Sequence, residues 1–396
     1  MSSSSSISRL YRLFSNNIPT PQILTKTLPK EENPPKPSTN HLTKKIFAEK
    51  NLTTLVKNFK TFSERSQFRR SNHVYEDTVK RLASAKKHSL IEQVLEHQKK
   101  FDDITKEGFA IKLITLYGKV GMFDHALKTY NELPELKCTR TVKSFNALLN
   151  ASIKSKKFSE TLKLFRELSS SLSVTPDDYS YNTVIHAYIE LGNFDSAVLM
   201  MDEMEKNGVK PDLITFNTLL NGYYSKGQFS DGEFFWARME ESGVVPDIIS
   251  FNTKLKGLVS GGNISEAVEL VEQLGNSEVK PNRFTYNVLI KWYCSNGKLD
   301  EAKRLYDYML KNDVVPGYIT FEALIPCACE KGDWDLALKL CEVSLNSNCH
   351  ISAGTVQFVI DGLVKESKIE EAKGLVEIAW SKTYFHSKLK MPQEDE

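Results

Sequence analysis

Five asparagines recur along the chain at an almost constant interval. One step is 36 residues and three are 35, at Asn146, Asn182, Asn217, Asn252 and Asn287. Asparagine is about 0.5 kcal/mol worse than alanine in a helix, so this recurrence calls for a reason. Its amide carries both donors and acceptors, which suits the edge of a nucleic-acid base. The plainer alternative is that each amide ties down a neighbouring loop.

Aspartates occupy a second fixed register, directly after a proline. They are Asp177, Asp212 and Asp247. An aspartate in this place is a good N-cap for a following helix whatever the protein does. Capping does not prevent the same carboxylate from contacting a ligand.

Other groups that could support chemistry have a simpler explanation. Cys327 and Cys329 are followed by Cys341, Cys349 and His350, but no CxxC pair exists and the spacing separates the thiols on different helices. We therefore expect core cysteines and no metal site. The histidines form no HExxH motif, and the chain lacks a phosphate-binding loop and a GxGxxG motif. We expect no cofactor and no catalytic residue.

The elements that carry these residues follow from an internal repeat. Prolines at 176, 211, 246, 281 and 316 and glycines at 192, 227, 262, 297 and 332 are each 35 residues apart. Within the unit 213–247, Phe216, Leu220 and Tyr223 share one helical face, and a second apolar face begins after Gly227. Each unit is thus predicted to be a helical hairpin. Hairpins stack to bury their apolar faces, which predicts an α-solenoid.

The unit LITFNTLLNGYYSKGQFSDGEFFWARMEESGVVPD resembles the pentatricopeptide repeat. The 34-residue tetratricopeptide repeat lacks the regular aromatic-Asn pair and the terminal Pro-Asp, so we set it aside. The resemblance covers about nine repeats in 72–387 and is best in 142–317. It implies an all-α, right-handed α-solenoid of stacked helix-turn-helix repeats. It also implies binding of single-stranded RNA, with one base per repeat.

In that family, the asparagine near the start of a unit and the last residue of the unit together select a base. Three pairs look like uracil readers: Asn146 with Asp177, Asn182 with Asp212, and Asn217 with Asp247. Asn252 with Asn282 looks pyrimidine-preferring, and Asn287 with Gly317 has half of the code. Ile111 with Thr141 and Glu322 with Ser352 depart from it, so we expect no base there. The second residue of a unit is implied to flank the bases, namely Tyr179, Ile214, Ile249 and Phe284. The implied site is 5′-UUUY, with room for one further pyrimidine.

The N-terminal region has a different composition. Residues 1–30 are rich in serine, contain Arg9 and Arg12 and lack acidic residues, which predicts a mitochondrial transit peptide, with plastid import as the alternative. We expect a Pro-rich linker over 31–45, a basic helical lead-in over 46–71 and a polar tail over 388–396. A basic docking patch for phosphates is predicted at Arg69, Arg70, Lys86 and Lys87. A solvated helix face is the competing interpretation.

Two functions compete within this frame. The net charge is only +2, so bulk charge does not explain binding to nucleic acid. Five repeat units that each select one base are few for choosing a single transcript. The short presequence, the basic lead-in, the segment 106–123 and the MPQEDE end resemble short pentatricopeptide repeat proteins of the plant mitochondrial ribosome's small subunit. We therefore expect a ribosomal component in the mitochondrial matrix, with organelle mRNA or rRNA and ribosomal proteins as partners and no membrane. The alternative is a free adaptor that binds a U-rich site in organelle transcripts.

Overall fold

The computed structural model describes residues 39–171, 174–347, 349–382 and 389–390. The predicted transit peptide lies outside these residues, as do most of the predicted tail and residues 31–38 of the predicted linker. The described chain divides into two compact units, one up to Val74 and one from Tyr75 onward.

The first unit contains three helices: α1 (Thr39–Ala48), α2 (Leu52–Phe62) and α3 (Ser66–Arg69). Helix α1 includes residues 39–45, which the composition had assigned to the linker. Its apolar residues Leu42 and Ile46 are four positions apart and both are buried, so one face of this segment has a core to pack against. Phe59 and Phe68 are fully buried and meet edge to face.

The second unit is built from helical hairpins. Helix α4 (Asn72–Ser84) contains the boundary and is followed by α5 (His88–Glu96) and two short 3₁₀ helices, His97–Lys100 and Asp102–Thr105. The first helices of the later hairpins are α6 (Glu107–Lys119), α8 (Val142–Lys154), α10 (Asp178–Glu190), α12 (Leu213–Ser225), α14 (Ile248–Ser260), α16 (Arg283–Ser295), α18 (Tyr318–Glu330) and α20 (Ala353–Lys365). The second helices are α7 (Phe123–Glu132), α9 (Phe158–Ser171), α11 (Phe194–Lys206), α13 (Phe229–Glu241), α15 (Ile264–Asn276), α17 (Leu299–Lys311), α19 (Trp334–Asn346) and α21 (Ile369–Trp380). No strand occurs among the described residues.

The turn inside each hairpin has a left-handed residue at one fixed register. Glycine occupies it in most hairpins, for example Gly227 with φ 75° and Gly262 with φ 81°. Lys86, Lys156 and Ser367 occupy the same register with φ of 55°, 56° and 58°. A left-handed backbone is strained for these three residues. The hairpin geometry is therefore kept even where the sequence departs from the repeat pattern.

Consecutive first helices pack on one another, from α6 against α8 through to α18 against α20. The small residue of each second helix is fully buried where the helices approach closely, as at Ala197, Ala267 and Ala302. In the hairpin α12/α13 this residue is Gly232, because the ring of Tyr224 occupies the space that a Cβ atom would need. These contacts build one hydrophobic core through successive hairpins. The predicted all-α solenoid is confirmed.

Candidate nucleic-acid interface

The five predicted asparagines lie one turn inside consecutive first helices. Asn146 is on α8, and the others follow one per helix on α10, α12, α14 and α16. Because these helices pack in series, the five amides form a row along one side of the stack. The side chains sit low in this surface, and Asn182 is only 7% exposed.

Each asparagine donates to the last residue of its own unit, where that residue has a side chain. The distances from the amide Nδ2 to the acceptor Oδ1 are 2.8 Å for Asn146–Asp177, 3.2 Å for Asn182–Asp212, 3.3 Å for Asn217–Asp247 and 3.4 Å for Asn252–Asn282. The two positions that the sequence pairs are therefore in direct contact. The amides therefore tie down the neighbouring loops, as the plainer interpretation expects, and base reading by them stays a prediction.

The last residue of each unit is also the N-cap of the next first helix. The Oδ1 of Asp177, Asp212 and Asp247 accepts from the third backbone N–H of that helix at 3.0, 2.9 and 2.9 Å. Burial tends to raise the pKa of Asp247, but hydrogen bonds from Ser250, Asn217 and Ile249 outweigh it and lower the pKa. The carboxylate is thus ionised at neutral pH and accepts hydrogen bonds only.

A third group completes the site, and the sequence argument missed it. In the first helices from α8 to α20 the third residue is a serine or threonine whose side chain is buried: Ser144, Ser180, Thr215, Ser250, Thr285, Thr320 and Thr355. Four of these hydroxyls donate to the Oδ1 of the asparagine in the preceding unit, at 2.6 Å for Ser180–Asn146, 2.7 Å for Thr215–Asn182, 2.7 Å for Thr285–Asn252 and 2.8 Å for Thr320–Asn287. Their recurrence at the repeat interval was the signal that could have revealed them.

The residues predicted to flank the bases are exposed apolar side chains at the second position of consecutive first helices. Tyr179, Ile214, Ile249 and Phe284 are between 46% and 61% exposed. Ile319 follows at the same register and is 55% exposed, although the prediction did not include it. Their exposure leaves them available to a ligand that lies along the row. Tyr179 and Phe284 carry aromatic rings on which a base can stack, and the isoleucines offer apolar contact.

The row changes character at the unit 283–317. Asn287 still accepts from Thr320, but Gly317 supplies no side chain for its Nδ2. The guanidinium of Arg283 fills that place, because a Cβ atom on Gly317 would lie 2.9 Å from its Nη1. Its Nε donates to the carbonyl of Val315 at 2.7 Å. A cation therefore stands where the preceding units have an aspartate or asparagine.

Carboxylates occupy the units on either side of the row. Glu322 replaces the asparagine on α18 and accepts from the Ser352 backbone N–H at 2.6 Å and from the Thr355 hydroxyl at 2.8 Å. Before the row, Glu107 accepts from the backbone N–H of Thr141 at 2.8 Å and of Ser144 at 3.2 Å. These units lack the amide-acid pair, and the absence of base reading there stays a prediction.

The predicted basic docking patch is divided between the two compact units. Arg69 is half-buried and its Nη1 donates to the carbonyl of Ser63 at 2.6 Å, so it supports the loop before α3. Arg70 is exposed. Lys86 and Lys87 are exposed on the turn between α4 and α5, where Lys86 has the left-handed conformation. Phosphate docking at these residues stays a prediction.

The cysteines lie in the packed interior of the described chain. Cys138, Cys294, Cys327, Cys329 and Cys341 are buried and Cys349 is half-buried. Burial raises the pKa of the Cys329 thiol to about 11, which keeps it protonated. Within the described ranges, no group of three metal-ligating side chains comes together. No helix in those ranges is long and apolar enough to cross a bilayer.

Comparisons with known proteins agree with this architecture. A family model described as the PPR repeat family matches residues 176–225, 211–260, 246–292 and 281–329, and a PPR repeat model matches 112–138 and 143–171. The small ribosomal subunit protein mS79 (rPPR3b) of Arabidopsis thaliana is 45% identical over 178 residues, which cover 45% of this chain and 44% of that protein. The Arabidopsis thaliana mS78 (rPPR3a) is 45% identical over 173 residues, covering 44% of each chain.

These matches span less than half the length of either ribosomal relative. Among solved structures, the crystal structure of the pentatricopeptide repeat protein PPR10 from maize is 22% identical, with a TM-score of 0.48, and covers 86% of this chain and 47% of that one.

Proposed function

We propose that this chain, which belongs to the pentatricopeptide repeat family, is a non-enzymatic single-stranded RNA-binding component of the mitochondrial ribosome's small subunit. The observation that carries the RNA-binding part is the row of five amides, four of them hydrogen-bonded to an acid or an amide, with exposed apolar side chains at one fixed register of the same helices. Such a surface has little to offer a small metabolite. It matches a polymer that repeats at the spacing of the hairpins.

The base preference follows from the pairs. The Nδ2 of Asn146, Asn182 and Asn217 donates one N–H to a carboxylate, which leaves the second amide N–H of each for a base. A uracil edge presents carbonyl oxygens that can accept from such an N–H. We infer uracil at these three units and a pyrimidine at Asn252, giving 5′-UUUY.

The ribosomal part rests on the number of readers and on the relatives. Three uracils and a pyrimidine recur by chance about once in 128 nucleotides, so the site alone does not single out one transcript. Two relatives at 45% identity are small ribosomal subunit proteins. A protein held by several ribosomal contacts needs only modest base selectivity. We accordingly place the chain in the mitochondrial matrix, with rRNA or mRNA and ribosomal proteins as partners.

The second candidate is a free adaptor that acts on U-rich sites in organelle transcripts. The continuous row from Asn146 to Asn252 favours it, because four consecutive units each have both residues of the base-selecting pair. Copy number separates the two functions. Quantitative mass spectrometry of mitochondria should find the protein near the abundance of core small-subunit proteins, whereas a value one hundredth of that abundance would favour the adaptor.

RNA binding is tested directly with the purified chain. Fluorescence anisotropy should show tighter binding to a labelled RNA containing UUUC than to one containing AAAA at the same salt concentration. Equal affinity for the two RNAs would exclude base reading by the row. The same preparation should show no ribonuclease activity towards either RNA.

A further inference from the structure

The buried hydroxyl at the start of each first helix does more than cap that helix. We propose that Ser180, Thr215, Thr285 and Thr320 are positioning residues that fix the amide orientation of the asparagine in the preceding unit and thereby sharpen base selection. This inference rests on the proposed RNA-binding function. The hydroxyls are fully buried and would not touch the RNA themselves.

The hydrogen-bond count at one site shows how the orientation is set. The Thr215 hydroxyl accepts from the Asp212 backbone N–H at 3.1 Å, so its single proton remains for donation. Two acceptors lie in reach: the Oδ1 of Asn182 at 2.7 Å and the Oδ1 of Asp212 at 2.9 Å. The carboxylate oxygen already accepts from the Thr215 backbone N–H and from the Asn182 amide. The shorter contact to the amide oxygen is therefore the favoured one.

The amide is then held at both ends. Its nitrogen faces a carboxylate, which only accepts, and its oxygen faces a hydroxyl that donates. Rotating the amide by half a turn would set its oxygen against the carboxylate and its N–H groups against the hydroxyl proton. The remaining amide N–H is consequently fixed in direction before RNA arrives. A reader whose rotamer is locked by supporting hydrogen bonds discriminates better than one that reorients.

The unit 213–247 lacks this arrangement and supplies an internal contrast. The Ser250 hydroxyl lies 3.0 Å from the Oδ1 of Asp247 and accepts from the Asp247 backbone N–H at 3.2 Å, as its counterparts do. The Oδ1 of Asn217, however, is buried and has no hydrogen-bond partner. Ser250 thus caps its helix but makes no hydrogen bond to Asn217, whereas Ser180 caps its helix and also donates to Asn146.

The test compares Ser180→Ala with Ser250→Ala in the full chain. Both variants lose a capping hydroxyl, so both should lose a similar amount of thermal stability. Affinity is measured for a 5′-UUUC RNA and for RNAs in which adenine replaces the one nucleotide assigned to the repeat unit under test. Ser180→Ala should reduce uracil-over-adenine discrimination at the Asn146 nucleotide about fivefold, the worth of one hydrogen bond. Ser250→Ala should change discrimination at the Asn217 nucleotide less than about twofold.

A conservative variant gives the rescue. Ser180→Thr keeps the hydroxyl that Thr215 and Thr285 use and should restore discrimination at the Asn146 nucleotide. The inference is overturned if Ser180→Ala keeps the wild-type base ratio, or if both alanine variants lose it equally. Failure of the proposed function looks different, because the wild-type chain would then show no base preference at all.

Discussion

Removing three neighbouring amides tests whether the row reads RNA. The variant replaces Asn182, Asn217 and Asn252 by alanine. In the free protein these amides already bond their acid or amide partners and, for two of them, a hydroxyl. Those bonds need not break when a base binds, so the whole base contact is gained on binding. At about 1–3 kcal/mol per base, the triple variant should lose about 3 kcal/mol or more, which is at least about 100-fold in Kd.

The assay is fluorescence anisotropy with a labelled UUUC RNA, accompanied by a thermal melt. A matched control carries the same three substitutions at Asn207, Asn276 and Asn312. These residues are exposed at the C-terminal ends of second helices, and each amide makes one hydrogen bond there. The control should bind as tightly as the wild type. If the reader variant melts as a folded protein and its Kd stays within about twofold of wild type, the row is not the RNA site.

Three further substitutions probe other parts of the structure. Gly317→Asp alone should not create a uracil reader, because the guanidinium of Arg283 lies beside that position and would pair with the new carboxylate; with Arg283→Leu added, RNA binding should gain a preference for uracil at the fifth nucleotide. Gly232→Ala should lower the free energy of unfolding by about 1–3 kcal/mol in a denaturant titration, since the Tyr224 ring fills the space that the new methyl group needs. Burial opposes ionisation of Glu107, but hydrogen bonds from Ser144 and Thr141 lower its pKa below the ordinary 4.5. A lowered pKa in the folded state stabilises the fold above pH 4.5, and this contribution is lost as the pH falls through the pKa of the folded state. Glu107→Gln should therefore reduce the melting temperature at pH 7 and match the wild type once the wild-type Glu107 carboxyl is protonated in strong acid.

The fold was predictable because each local signal recurs. The interval of 35 residues set the hairpins, and the Pro-Asp pairs marked the N-caps. The pairing of Asn182 with Asp212 was implied by the resemblance to the pentatricopeptide repeat, and in the structure the two side chains are in contact.

The hydroxyl of Thr215 was not found, because a serine or threonine at the third helical position is explained locally as part of a cap. Its bond to Asn182 joins two units, and this becomes visible only when the first helices are stacked. The position of the Arg283 side chain beside Gly317 was missed for the same reason. It depends on the path of the loop at Val315, whose carbonyl accepts from the Arg283 Nε. Helix α1 was missed because prolines nearby dominated the composition.

The central claim is association with the mitochondrial ribosome, and sedimentation tests it most directly. A tagged copy of the chain is followed through a high-salt sucrose gradient of mitochondrial lysate, with and without ribonuclease. The account predicts that the protein co-migrates with the small ribosomal subunit at a constant ratio to its core proteins. Migration only in a light, ribonuclease-sensitive fraction would contradict it and would identify a free RNA adaptor.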